Sequence, residues 1–354
     1  ASVFPVREDV IAEFGDKWTN PEHLVGNGAY ILKEHILGEK VVMAPSSTYW
    51  DADKTILQKV TALTINDTNV ALTRYLAGEL DRTEIPSGQY PKLRADYPDE
   101  AVSVPQSCSY VYLYNLDEEK GPKALKDLKV RKALSYAIDR DIIVDKILQG
   151  GQSPAYNWTH YATAGFEMPD IDYARWTQKE RVSKAKALMA EAGFSHGKPL
   201  ELTLQYNTSE GHKKIAIAVQ QFWKAIGVKV TLANYEWKVH TERMHNQDFD
   251  IARYAWCGDY NEASTYLDMF TSYSGHNTGK FDLAAYDAVM EASKTAADPN
   301  ANYAEAEQIL AAEMPFAPIY HYTKVEMIKP DIKGTSLGNL MQNWYLKNMY
   351  RIAE

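Results

Sequence analysis

The clearest periodicity lies in the middle of the chain. Leu200, Leu202, Leu204 and Tyr206 alternate with Glu201, Thr203 and Gln205, the two-residue period of a strand with one buried face. Asn207-Thr208-Ser209 follows, and Ser209 is placed to cap a helix. Ile215, Ala218, Val219, Phe222, Trp223 and Ile226 then recur at helical spacing until Gly227 supplies a left-handed stop. Val228, Val230 and Leu232 alternate with Lys229 and Thr231 as a second strand. Strand, helix and strand in this order predict a parallel pair with a right-handed crossover. The pattern continues with a short helix over 238–246, a strand over 249–256, helices over 284–295 and 303–313, and a strand over 316–322. Upstream, 130–148 reads as one long helix and 181–192 as another, closed by Gly193. Residues 1–107 differ: short strands at 29–32, 40–43 and 57–65 are joined by turns, with one helix around 69–77. The class is α/β, and residues 108–322 read as one continuous lobe.

Composition narrows the partners. A length of 354 residues is enough for about two domains. With 38 basic against 47 acidic residues, the net charge of -9 argues against nucleic acid or an anionic membrane surface as the main partner. No apolar run approaches the ~18 residues of a membrane span. The chain opens Ala-Ser-Val-Phe-Pro, with neither initiator Met nor signal peptide, and is read as processed or cut from something longer. Its 24 Tyr and 8 Trp offer apolar bodies with polar tips, suited to a wet binding surface as well as to a core edge. Cys108 and Cys257 are too far apart for a zinc ribbon or a Cys-x-x-Cys motif. They are either two buried thiols of a cytosolic protein or one long-loop disulfide of an exported one.

In open parallel α/β sheets, ligands bind beyond the carboxyl ends of the strands. Here those ends deliver Tyr206-Asn207 with His212, then Tyr235-Glu236-Trp237, then Arg253 and Ala255-Trp256-Cys257-Gly258-Asp259-Tyr260-Asn261. Aromatic walls, one anion and two potential cations suit a ligand carrying both charges, such as a peptide or amino acid. Each residue has a plainer reading. Asp259 beside Gly258 could be a turn former, Arg253 could pair with Asp250 or Glu236, and His212 could be a surface residue. Catalytic signals are weak: there is no Gly-x-Ser-x-Gly, no His-Glu-x-x-His and no phosphate-binding glycine loop. His240 and His245 are five apart, not the four that stack two ligands on one helix face. An aromatic cleft with two carboxylates would suit a glycosidase, yet no pair is singled out.

Several blocks occur in order: Asn27-Gly28-Ala29-Tyr30, Tyr49-Trp50-Asp51, Arg74-Tyr75-Leu76-Ala77-Gly78-Glu79-Leu80-Asp81, Val130-Arg131-Lys132-Ala133-Leu134 with Asp139-Arg140, Tyr206-Asn207-Thr208-Ser209, Glu236-Trp237-Lys238, and Trp256-Cys257-Gly258-Asp259-Tyr260-Asn261. Together they resemble the family 5 extracellular solute-binding proteins of bacterial ABC importers, and within them the oligopeptide-binding branch. The resemblance runs end to end. It implies a type II periplasmic-binding-protein fold of two lobes joined by a hinge, of which this chain is the C-terminal two-thirds, with the N-terminal part missing. Residues 1–107 and 323–354 would be a partial first lobe and 108–322 the large C-terminal lobe, with crossovers near Cys108 and Tyr322.

The function so implied is capture of short peptides in the periplasm and delivery to an inner-membrane ABC permease, by a monomer that is exported, is not an enzyme and uses no cofactor or metal. The alternatives are a murein-peptide, dipeptide or haem/metal-complex binder of the same family, or an aromatic-cleft hydrolase. By resemblance, Asp259 would meet the ligand's α-ammonium as a semi-buried carboxylate, Arg253 the carboxylate of short peptides and His212 that of longer ones. Trp237 and Trp256 would wall side-chain pockets, Tyr322 would join the site, and main-chain groups around Ala255 and Cys257 would pair with the peptide. Cys108 and Cys257 match a disulfide-bonded pair. Two departures stand out. Leu148, with Lys146 nearby, occupies the place of a family lysine used for tetrapeptide carboxylates, and Leu113 replaces an acidic side chain.

Overall fold

The short strands near the start of the chain form a three-stranded antiparallel sheet in the order β1 (Tyr30–Ile36), β2 (Lys40–Pro45), β3 (Val60–Leu63). Helix α1 (Thr68–Leu76) starts at Asp67, whose carboxylate accepts the backbone N–H groups of Asn69 and Val70. Strand β4 (Arg82–Glu84) follows. This is the computed structural model of the chain, and it describes residues 4–352. Its contacts define two compact units: residues 1–86, 92–102 and 325–354 make one, residues 87–91 and 103–324 the other. The outermost residues of the expected first lobe, 1–3 and 353–354, lie outside the described residues.

The second unit is built on strand β5 (Ala101–Tyr114), most of which belongs to it. Tyr110, Tyr112 and Tyr114 point to one core and Val111 and Leu113 to another, and all five are buried. The first core is completed by α2 (Leu128–Ala137), α3 (Gln178–Glu191), β6 (Leu200–Asn207), α4 (Glu210–Lys224) and β7 (Val228–Tyr235). There the fully buried indole of Trp223 donates to the Leu134 carbonyl at 2.8 Å. The second core receives side chains from α5 (Trp237–His245), β8 (Ile251–Cys257), α6 (Ala284–Ser293) and α7 (Asn300–Glu313). Strand β9 (Phe316–Ile328) returns to the sheet, whose order within this unit is β9-β5-β8-β6-β7.

The strand–helix–strand expectation holds. β6 and β7 are parallel from Leu200↔Val228 to Asn207↔Tyr235, and Gly227 turns the chain between α4 and β7 at φ +86°. Ser209 flanks α4 but makes no capping side-chain bond. The sheet is mixed rather than parallel, because β8 pairs with β6 in parallel and with β5 antiparallel. Strand β9 also continues six residues beyond the expected end at Tyr322.

The long helix expected over 130–148 is broken. α2 ends at Ala137, Asp139 caps a new turn by accepting the Ile142 N–H at 3.1 Å, and residues 143–148 follow as a π-helical turn. The fully buried Arg140 guanidinium makes the break possible. It donates to the Ser135 and Ile138 carbonyls at the end of α2, and to the carbonyls of Ala155 and Pro318.

Behind the sheet, the second core holds buried polar groups whose titration burial shifts. Glu307, fully buried, accepts the backbone N–H groups of Trp158 and Thr159. His321 lies between Ser109 Oγ (2.9 Å) and Asn157 Oδ1 (3.3 Å), and His160 accepts the Ala162 N–H. Burial lowers both imidazoles, His160 to about 4 and His321 well below its ordinary value. Glu307 is raised by the same cause.

Two predictions follow from these groups. Arg140→Met leaves buried carbonyls without donors and should cost roughly 3–5 kcal/mol in urea denaturation; a loss below about 1 kcal/mol would contradict the role given to Arg140. The native state leaves His160 and His321 unprotonated where the unfolded chain takes up protons. Stability is therefore lost as pH falls below the ordinary histidine value of about 6.5, at up to about 1.4 kcal/mol per pH unit per histidine. Glu307 works in the opposite sense, but it is one group against these two and the likewise depressed His212 and His240. Denaturation midpoints should drop from pH 7 to pH 5 and drop less in the His160→Gln/His321→Gln variant; equal slopes would refute the assignment.

Candidate functional site

Strand β8 carries the expected cation, and its environment decides what that cation is for. The register of β8 against β5 places Arg253 opposite Tyr112 and Ala255 opposite Tyr110. The Arg253 side chain therefore lies on the tyrosine face of the sheet. Its Nη2 donates to the Tyr322 hydroxyl at 2.6 Å and Nη1 to Asn207 Oδ1 at 3.4 Å. Its guanidinium carbon stands 4.9 Å from the Tyr110 ring centre, a cation–π contact. Tyr110 stacks on Tyr320 at 4.8 Å, and Tyr320 on Tyr322 at 4.8 Å.

Arg253 is 9% exposed, its Nε has no partner, and it makes no ion pair among the described residues. The plainer pairings do not occur. Asp250 accepts the Thr203 N–H at 2.7 Å, and Glu236 caps α5 by accepting the Lys238 N–H. Burial opposes the charge while the facing oxygens of Tyr322, Tyr110 and Tyr320 favour it, with a net raised pKa. The side chain is a cation at any working pH.

His212, on the first turn of α4, lies 5.5 Å from the Tyr110 ring. Burial first, then the cationic Arg253 and the neighbouring His240 imidazole, push its pKa down to about 2. It is a neutral imidazole rather than a second cation. Trp237 opens α5 and is 55% exposed, with its ring stacked over His240 at 6.1 Å.

Beyond Arg253, β8 has one open edge. Gly258 N–H bonds to Ser107 O and Asn115 N–H to Asp250 O, so residues 250, 252, 254, 256 and 258 face β5. Residues 251, 253, 255 and 257 face the other edge, where β6 pairs only as far as Gln205↔Ala252. The main-chain groups of Ala255 and Cys257 thus point to an edge that no strand covers among the described residues. Cys108 and Cys257 are register partners with Cα atoms 4.0 Å apart, and they form a disulfide. It closes a loop of 149 residues, for which the chain-entropy model gives at most about 5 kcal/mol.

Asp259 follows the strand end. A side chain at Gly258 would bring Cβ to 3.0 Å of Thr265 Cγ2 and 3.1 Å of Ser107 Oγ, so the turn leaves little room for anything but glycine there. The Asp259 N–H is held by Thr265 Oγ1 at 2.9 Å, which fixes its backbone. Its carboxylate is exposed rather than semi-buried, and it carries no ion pair among the described residues. Trp256 is half-buried, points to the opposite sheet face from Arg253 and lies 5.0 Å from His276.

Leu148 is buried in the first core and Leu113 in the second, so neither position offers a charge, while Lys146 is exposed. His240 and His245 do not cooperate either: His240 is buried and His245 exposed, and no cluster able to hold a metal occurs among the described residues. Sequence reasoning missed Tyr110, Tyr320 and the role of His240. Tyr110 belongs to a Tyr-x-Tyr-x-Tyr alternation over 110–114 that signals a strand face.

Comparison with known proteins agrees with this architecture. The family described as "Bacterial extracellular solute-binding proteins, family 5 Middle" matches residues 2–278. The periplasmic murein peptide-binding protein of Escherichia coli strain K12 is 44% identical over 98% of this chain and 65% of its own length. Its solved structure, titled as a murein tripeptide binding protein, superposes with a TM-score of 0.95 over 99% of this chain and 69% of that one. The periplasmic oligopeptide-binding protein of Salmonella typhimurium is 39% identical over 99% of this chain and 65% of its own length. The Haemophilus influenzae oligopeptide-binding protein, solved with the peptide RPPGFSPFR, has a TM-score of 0.91 at 34% identity and covers 99% of this chain and 69% of that one. The chain thus spans about 65% of the length of the curated relatives it matches. It has their type II periplasmic-binding-protein fold, and it belongs to family 5 of the bacterial extracellular solute-binding proteins.

Proposed function

We propose that this chain binds short linear peptides in the periplasm and hands them to an inner-membrane ABC permease, without chemistry of its own. The observation that carries the reading is a buried Arg253 with no carboxylate partner among the described residues, set beside a strand edge that none of them covers. A buried guanidinium gains from a bidentate carboxylate, and a peptide main chain completes a strand edge whatever its side chains. Exposed Asp259 supplies the complementary anion for a free α-ammonium, and Trp237 offers an apolar wall. His212, neutral in the free protein, serves longer peptides as a hydrogen-bond donor. The names of the relatives support the same ligand class: two are oligopeptide-binding proteins and one is a murein peptide-binding protein. A murein peptide is the second reading, supported by that relative at 44% identity.

Calorimetric titration of tri-, tetra- and pentapeptides, free and N-acetylated, tests the proposal. Free peptides should bind and acetylated ones should be rejected. Asp259→Asn should weaken free peptides by about 10–100-fold, the worth of a charge-assisted hydrogen bond, and remove the discrimination. Equal affinity of free and acetylated peptides for the wild-type chain would take Asp259 out of the site. Heat with a murein tripeptide but with no linear peptide would select the second reading.

A further inference from the structure

His240 is 1% exposed, yet it belongs to neither the predicted contact residues nor the apolar core. Its Nε2 lies 3.0 Å from the Arg253 carbonyl oxygen. A carbonyl only accepts, so Nε2 carries the proton and Nδ1 is left as a bare lone pair, buried and without a partner. The Arg253 carbonyl is the next acceptor on the β8 edge after β6 stops pairing at Ala252. The imidazole therefore takes the place of one further rung of the sheet. It ends the pairing at Arg253 and leaves Ala255 and Cys257 as the first uncovered groups.

The same side chain is anchored on its own element. Its backbone N–H bonds to Glu236 O at 2.8 Å, its carbonyl accepts from Gln205 Nε2 at 3.5 Å, and its ring lies under Trp237. One residue thus couples the exposed aromatic wall, the backbone of the buried cation and the start of the open edge.

We infer that His240 is a positioning residue of this site: by donating to the Arg253 carbonyl it fixes where sheet pairing stops and where a ligand strand begins. It thereby sets which peptide length brings its carboxylate onto the Arg253 guanidinium. The inference rests on the peptide-binding reading above. A donor lost at this point frees the β8 backbone at Arg253, so short ligands, which need edge and cation in register, suffer first. Longer ligands, whose carboxylate lies beyond Arg253, depend on it less.

Two substitutions separate this role from mere packing. His240→Phe fills the space without a donor, whereas the Nε2 of His240→Gln reaches the place of the imidazole Nε2. His240→Phe should weaken tripeptide binding by about tenfold, one hydrogen bond's worth, and pentapeptide binding by less than about threefold. His240→Gln should stay within about threefold of wild type for both. Melting curves confirm that each variant is folded; should His240→Phe not fold, His240→Leu carries the same comparison. Nitrogen chemical shifts of His240 in the ligand-free protein should report the Nε2–H tautomer at pH 7. Equal losses for all lengths, no rescue by glutamine or an Nδ1–H tautomer would each overturn the proposal. A wild-type chain that binds no peptide would overturn the functional reading and this inference together, whereas wild-type binding with equal losses would overturn this inference alone.

Discussion

A guanidinium held nine-tenths out of water without a carboxylate is the constraint around which this unit is arranged. Desolvating a cation is costly unless its donors are met, and the protein meets those of Arg253 only with neutral oxygens and a ring face. Four elements contribute: β5 with Tyr110, β6 with Asn207, β8 with Arg253 itself, and β9 with Tyr320 and Tyr322. The charge also governs its neighbours. Burial and the nearby cation together keep His212 and His240 neutral, with pKa values pushed down to about 2 and about 4. The site therefore presents one fixed positive charge, not three, and a ligand that brings one carboxylate balances it.

The sheet supplies the second half of the arrangement. Because β6 departs after two register pairs with β8, the last residues of β8 are paired on one side only. A free strand edge is normally a liability. Here it is short and covalently fastened to β5 by the Cys108–Cys257 disulfide at its end. A tight glycine turn then carries Asp259 past the edge, with its backbone tied to Thr265. The donors and acceptors of a ligand strand, a cation and an anion are thus distributed along one short stretch of chain, residues 253–259.

Much of this was legible in the sequence, and the exceptions have physical causes. β6, α4 and β7 were readable because each has one buried and one wet face, so hydropathy alternates with the period of the element. β5 was harder to read, because it is buried on both faces: its Tyr-x-Tyr-x-Tyr run over 110–114 marks a face, but Val111 and Leu113 between them give no polar alternation. The break at Ile138 was hidden because the apolar period runs on through it; only Asp139, as a cap, and Arg140, as a donor to the carbonyls at the helix end, mark it. Arg253, His212 and Asp259 were recognisable as residues, but the tyrosine cage joins positions 110, 320 and 322, which no local pattern connects. His240 looked like half of a failed metal pair, because its bond to a backbone carbonyl thirteen residues away is a tertiary fact. The exposure of Asp259 was equally beyond reach, since a turn residue reveals little about which way its side chain points.

In the proposed complex, a ligand carboxylate completes the buried Arg253. The most direct test is to titrate one tripeptide as its free acid and as its C-terminal amide, with the amino terminus free in both. The acid should bind and the amide should bind at least about a hundredfold more weakly, as expected when a buried charge is left unpaired. Arg253→Met should remove the difference. Equal affinity of acid and amide for the wild-type chain would contradict this pairing.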